Sequence, residues 1–298
     1  MNLQNFGHEL NVRKKMVEDN LEKYVILEAY PPIIHEAMHY AIFNGGKRIR
    51  PIMVLEGAVL AGARPETVMP TACAIELIHS YSLVHDDLPA MDDDDTRRGK
   101  PTCHIKFGED IAILTGDALL TLAFELIASN AEIPGIEYRN VVKAIKVIAK
   151  AAGSQGMIGG QVIDLQSEGQ SIDYETLKTL HSLKTGQLFQ ASIVAGAILG
   201  GMSEAAISKL NSYAYHFGLA FQITDDILDV KGDAEVIGKP VGSDEKNNKT
   251  TYPRLFGLDK SLELAQVNVT TCLENLREFG SEADFLKNLA LFTLQRNN

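Results

Sequence analysis

Apolar residues return every three or four positions along most of this chain, while runs that alternate residue by residue between tight Asn-Gly or Asp-Gly turns are nearly absent. The first pattern belongs to helices with a buried face and the second to half-buried strands. The spacing predicts helices over 10–27, 32–44, 50–60, 68–88, 107–129, 137–152, 155–167, 174–199, 204–230 and 262–279. No repeat of roughly 20 to 50 residues is evident, which argues against a solenoid. The expected architecture is all-α, a bundle whose facing helices enclose a central cavity. No Pro/Ser-rich linker, low-complexity tract or shift of composition divides the chain, so residues 1–298 are expected to form one domain.

With 45% hydrophobic and 22% charged residues, the chain can build one large core. Its first residues contain no apolar h-region, and stretches such as 191–202 are too short to cross a bilayer. No membrane span and a cytoplasmic location are therefore expected. Cys73, Cys103 and Cys272 are odd in number and widely spaced, without a CxxC, so they indicate packing rather than disulfides or zinc. A net charge of −11 argues against a nucleic-acid surface. It would also repel an anionic substrate unless metal ions reversed the sign locally.

Two aspartate clusters supply the reason to expect such ions. In QITDDILDV (222–230), Gln222, Asp225, Asp226 and Asp229 share one helix face. Their neighbours Phe217, Leu219, Phe221, Ile223, Ile227 and Leu228 make the helix apolar almost all round, and carboxylates buried there need a cationic partner. Oxygen-only ligands select hard ions, usually Mg²⁺ where phosphate is present. A solvated acidic face is the other reading.

The earlier cluster, HDDLPAMDDDD (85–95), carries Asp86, Asp87 and Asp92, and the basic run Arg97-Arg98-Gly99-Lys100 follows soon after. A metal alone has no use for arginines, whereas a diphosphate bridged to metal by carboxylates and clamped by guanidinium groups uses both. Six positions on an ideal helix turn about 240°, so Asp86 and Asp92 can converge only if the helix ends or bulges near Pro89. A helix end leading into a charged loop is the plainer reading of this cluster.

Other segments gain weight from these two. Gly45-Gly46-Lys47-Arg48-Ile49-Arg50-Pro51 has the form of an anion cradle, with Lys47 and Arg50 as the cations, although basic turns between helices are common. His79, Ser82 and Asp86 share a helix face. In His181-Ser182-Leu183-Lys184-Thr185-Gly186-Gln187, a lysine inside an apolar helix calls for a counter-anion. The loop-like 238–249 segment, with Lys239 and Lys249 at its ends, is either a solvated loop or a lid over phosphate.

Together GGKRIRP (45–51), YSLVHDDLPAMDDDDTRRGKPTCH (81–104), LTGDAL (114–119), LKTG (183–186), FQITDDILDV (221–230) and GKPVGSDEKNNKTTYP (238–253) resemble the trans-isoprenyl diphosphate synthases, in the pattern of the bacterial-type farnesyl diphosphate synthases. The resemblance implies an isoprenoid-synthase-type bundle, a homodimer, and three Mg²⁺ per site held by Asp86, Asp92, Asp225 and Asp229, with Asp87 and Asp226 as further candidates. It implies that Arg97, Lys184, Thr185, Gln222, Lys239 and Lys249 bind the allylic diphosphate. Lys47, Arg50, His79 and Arg98 would bind isopentenyl diphosphate. The carbonyl of Lys184, with Thr185 and Gln222, would stabilise a carbocation, while Tyr81, with Ser82 beside it, would limit the product to fifteen carbons, (2E,6E)-farnesyl diphosphate.

A geranylgeranyl-forming relative would keep every one of these residues except at the cavity floor. A terpene cyclase has no use for a second diphosphate site, and a two-metal phosphohydrolase needs a wet site and a positioned water. A non-enzymatic calcium-binding module would need a twelve-residue Asp-rich loop with Gly and Glu at fixed places, and none is present.

Overall fold

The computed structural model describes residues 3–231 and 249–295. It is all-α, as the periodicity predicts. The helices are α1 (Leu3–Tyr24), α2 (Pro32–Ile42), α3 (Ile49–Leu60), α4 (Met69–Asp86), α5 (Cys103–Phe107), α6 (Glu109–Ser129), α7 (Tyr138–Ala152), α8 (Met157–Ser167), α9 (Tyr174–His181), α10 (Gln187–Leu199) and α11 (Glu204–Lys231). Three more follow, Tyr252–Phe256, Leu258–Asn275 and Asp284–Leu294.

Every residue of α10 after Gln187 is buried, and this helix packs on α3, α7 and α11. Two glycines let α3 and α10 nearly touch: a Cβ on Gly57 would lie 2.3 Å from the Ile193 carbonyl oxygen, and one on Gly196 1.9 Å from that of Val54. Around this pair α4 lies along α6, and α11 along Leu258–Asn275. Phe189, Tyr213 and Phe217 fill the space between them with contacting rings.

One cation is part of this core. Arg48 stands just before α3 with φ at 54°, and its side chain is 1% exposed. It donates to Glu76 (2.5 Å), to the Ile42 carbonyl (2.7 Å) and to Glu18 (3.2 Å). Of the three cations in the 45–51 turn, this one is committed to the core.

The expected helix 174–199 is continuous but not uniform. A π turn, Ser182–Gly186, joins α9 to α10, and the Gln187 amide donates to the Ser182 carbonyl. Asp173 starts the run by accepting from the Thr176 amide at 2.9 Å. The first predicted helix begins earlier than expected, at Leu3, and the stretch 107–129 is broken at Gly108, whose φ is 94°. The last predicted helix is Leu258–Asn275, and Asp284–Leu294 was not expected. Gly280 (φ 61°) lies in the 3₁₀ turn that separates them, and the apolar pattern resumes after it. The longest apolar stretch is also not 191–202. Glu109–Glu132 is long and apolar enough to match a membrane span by length and composition, and here it packs along α4.

Candidate active site

A cavity of about 430 Å³ opens between α4, α8, the π turn and α11. Both aspartate clusters face it, through Asp86 and Asp92 on one wall and Asp225 and Asp226 on the other.

The first wall forms because α4 stops at Asp86. The Asp92 amide then donates back to the Asp86 carbonyl (2.9 Å), and Asp93 turns the chain with φ at 53°. That reversal brings Asp86 and Asp92 together despite the interval between them. Burial pushes the Asp86 carboxyl up to about 6; Lys184 opposes the shift and Asp92 adds to it. Asp92 Oδ1 is buried with no hydrogen-bond partner, and Lys249 Nζ stands 3.8 Å away.

The basic run after this wall is a hairpin. Thr96–Arg97 (β1) pairs antiparallel with Lys100–Pro101 (β2) around Arg98 and Gly99, both at positive φ. The hairpin turns Arg97 onto Asp87, whose two oxygens accept from its Nε at 2.8 and 3.0 Å. Asp87 therefore lines not the main cavity but a small one of about 30 Å³ beside it, with Glu76 and Tyr40. Successive helix residues diverge by about 100°, so Asp87, expected as a further metal ligand beside Asp86, points away from it and is engaged by Arg97. Arg97 itself lines both cavities.

Arg98 reaches back to the Gly45 carbonyl, and a Cβ on Gly46 would lie 2.9 Å from its Nη1. Arg50 and His79 complete this end of the cavity. The Arg50 guanidinium lies 4.3 Å over the Phe189 ring, and burial lowers its pKa to about 10. Burial, reinforced by Arg50 and Arg98, keeps the His79 imidazole neutral. Lys47 does not line the cavity; its ammonium lies 6.0 Å from the Phe292 ring centre.

On the second wall Thr185 donates to Gln222 (3.1 Å), and Gln222 donates to Asp226 (3.0 Å). The other oxygen of Asp226 accepts from the Tyr252 amide (3.1 Å). Asp226, expected as a metal ligand, lines the cavity and through these hydrogen bonds also braces Gln222. Asp229 lies one turn beyond Asp225 and does not line the cavity. Lys239 lies outside the described residues.

Tyr81 is buried, its ring edge-on to His85 at 5.8 Å, and its hydroxyl has no hydrogen-bond partner. The Ser82 hydroxyl donates to the His79 carbonyl (2.9 Å). Neither residue lines the main cavity.

The counter-anion that Lys184 requires is Asp164 of α8, 2.6 Å from its Nζ. Nothing in the sequence singles out Asp164, nor gives a role to His181, which is 9% exposed in the cavity wall with an unpartnered Nδ1. Burial lowers the pKa of His181 to about 3. The nearest thing to a signal for Asp164 is Gly159-Gly160-Gln161 just before it, an unusual glycine pair inside a helix.

Among the described residues no three His, Cys, Asp or Glu side chains form a ready metal site. The donors nevertheless suit a hard divalent ion. They are carboxylate oxygens on facing walls, one of them buried and lacking a hydrogen-bond partner, and Mg²⁺ characteristically takes one or two carboxylates and leaves its other positions to phosphate and water.

Comparison with known proteins agrees with this geometry. The polyprenyl synthetase family model matches residues 31–289. The chain is 46% identical to the farnesyl diphosphate synthase of Geobacillus stearothermophilus over 268 residues, 90% of each protein. It is also 46% identical to the geranylgeranyl diphosphate synthase of Cyanophora paradoxa, over 96% of this chain and 95% of that one. Among solved structures, an FPP/GFPP synthase from Zymomonas mobilis superposes with a TM-score of 0.86 at 38% identity, covering 97% of this chain and 99% of that one. The geranylgeranyl pyrophosphate synthetase of Pyrococcus horikoshii superposes at 0.88 and 32% identity, over 99% and 100% of the two chains.

Proposed function

The chain belongs to the polyprenyl synthetase family, and on that premise we propose that it condenses isopentenyl diphosphate with dimethylallyl and then geranyl diphosphate to give (2E,6E)-farnesyl diphosphate. The observation that carries this reading is the pair of carboxylate walls facing one cavity with Arg50, Arg97, Arg98, Lys184 and Lys249 between and beside them. A carbon–oxygen bond to diphosphate breaks readily only where the departing charge is neutralised in place.

Asp86, Asp92 and Asp225, with Asp229 one turn beyond, would hold the magnesium ions, three in the family pattern. When bound, those ions would neutralise the leaving diphosphate. Arg97, Lys184, Lys249 and Lys239 would hold the same group. Arg50, His79 and Arg98, with Lys47 as expected from the resemblance, would hold the diphosphate of the isopentenyl partner. The Thr185–Gln222–Asp226 chain fixes the Gln222 carbonyl oxygen, and that oxygen and the Thr185 hydroxyl would stabilise the allylic cation through their dipoles. No strong protein base is required, because the departing diphosphate can take the proton lost after condensation. The cavity histidines agree with that, since burial lowers the basicity of both His79 and His181.

A fifteen-carbon product rests on Tyr81, five positions before Asp86. A twenty-carbon product is the alternative, since relatives of both names are equally similar. Incubation with Mg²⁺, isopentenyl diphosphate and dimethylallyl diphosphate, followed by chromatography of the dephosphorylated products, tests both levels. Failure to form any longer prenyl chain overturns the reaction, and a twenty-carbon product overturns only its length. We also propose a homodimer, with the exposed Ile113 and Leu114 of α6 at the contact; a light-scattering mass near the 32.6 kDa of one chain would refute it.

A further inference from the structure

The reaction as set out above leaves Asp164 without a part, yet this carboxylate lines the cavity at 9% exposure and one of its oxygens receives two cations. Lys184 Nζ lies 2.6 Å from Asp164 Oδ2 and Lys249 Nζ 3.3 Å from the same atom. The lysines come from the π turn and from the start of the segment that leads into the Tyr252–Phe256 helix, so nothing local in the chain brings them together. Two ammonium groups repel, and a shared carboxylate oxygen is what lets them converge. Burial alone would raise the Asp164 carboxyl, but Lys184 and Lys249 hold it below the usual carboxylate range.

The helix that carries Asp164 is fixed against the π turn. Gly160 lies one turn earlier on the same face of α8, and a Cβ there would come 2.2 Å from the Lys184 amide nitrogen and 2.6 Å from its Cα. Only a glycine lets the two backbones approach so closely, and that approach sets the reach from Asp164 to the lysine.

We propose that Asp164 is a positioning residue for the diphosphate of the allylic substrate, gathering Lys184 and Lys249 into one anion-binding pair beside the aspartate walls. The inference rests on the prenyl-transfer reading above. Without Asp164 the lysines have other partners close by. Lys249 Nζ is already 3.8 Å from Asp92, and the charge of Lys184 already acts on Asp86. Released, they would settle on the carboxylates assigned to the metal and weaken the site twice, by dispersing the cations and by occupying the anions.

The isosteric variant D164N tests this in the full-length protein. The thermal midpoint serves as a control for folding, and D164E as the conservative variant. Calorimetry with inorganic pyrophosphate in the presence of Mg²⁺ needs no turnover. We expect D164N to bind it about tenfold more weakly and D164E to recover part of the loss. In steady-state assays the KM for dimethylallyl diphosphate should rise by a similar factor, while that for isopentenyl diphosphate stays within about twofold. Unchanged or tighter pyrophosphate binding would overturn the proposal, because Asp164 would then be a bystander or a competitor for the lysines. So would equal rises in both KM values. If the unaltered protein binds pyrophosphate in this way but forms no prenyl product, the reaction is wrong and the positioning role stands.

Discussion

At the scale of single residues, similar side chains a few positions apart do opposite work, and burial with partners decides which. Arg48 and Arg50 are two residues apart, yet Arg48 is locked to Glu76, Glu18 and the Ile42 carbonyl while Arg50 lines the cavity with its Nε unpartnered. Arg48→Met is expected to destabilise the fold by about 3–5 kcal/mol, since it strands Glu76 as an unpaired buried charge. Urea unfolding checks this, and the double variant R48M/E76L should recover most of the loss; an R48M midpoint equal to that of the parent would contradict the assignment. Asp86 and Asp87 make the same contrast, one facing the cavity and the other held by Arg97. Tyr81 belongs to this scale too. Its ring is buried against His85, and His85 is confined by Gly116, where a Cβ would lie 2.0 Å from the imidazole Nε2. Tyr81→Ala is expected to shift the product toward twenty carbons. Chromatography of its products reads the shift directly, and a variant that still stops at fifteen carbons removes Tyr81 from chain-length control.

Elements carry the site through their irregularities, which is where the sequence was hardest to read. The long helices were legible because their apolar faces repeat, and the two aspartate motifs because six aspartates within ten positions beside an apolar helix invite a physical explanation. Asp87 and Asp226 could not be told from Asp86 and Asp225 in that way, because only the fold shows which carboxylate the hairpin turns Arg97 onto and which one the distant Tyr252 amide meets. The hairpin around Arg98-Gly99 is too short to show alternation, and the π turn at Ser182–Gly186 changes only which carbonyl a given amide meets. Asp164 went unnoticed because one acidic residue on a helix means nothing until its two lysines are seen. Close helix contacts hold these irregular pieces in place. Gly196→Ala, which would drive a Cβ toward the Val54 carbonyl, is expected to cost about 1–3 kcal/mol by wedging α10 from α3. Differential scanning calorimetry reads that loss. An unaltered midpoint would mean that the two helices separate without penalty.

For the whole molecule the governing fact is charge. The chain carries −11, and among the described residues its cavity presents six carboxylates, Asp86, Asp92, Asp164, Glu168, Asp225 and Asp226, against five cations, Arg50, Arg97, Arg98, Lys184 and Lys249. Three of those cations already rest on carboxylates, Arg97 on Asp87 and the two lysines on Asp164. A diphosphate arriving alone meets a field of its own sign. A magnesium ion arriving alone finds no three carboxylates close enough together, among the described residues, to surround it. Each supplies what the other lacks: the ion reverses the sign of the walls, and the diphosphate oxygens complete the ion's coordination. Binding of the two must therefore be coupled, and the coupling must be the same from either side. Calorimetry should show that saturating pyrophosphate tightens Mg²⁺ binding on the order of 10–100-fold, and that saturating Mg²⁺ tightens pyrophosphate binding by the same factor. Asp225→Asn should shrink both factors together, because it removes one wall's share of the ion while leaving the lysines in place. Independent binding of the two in the unaltered protein would mean that the walls do not act through a shared ion.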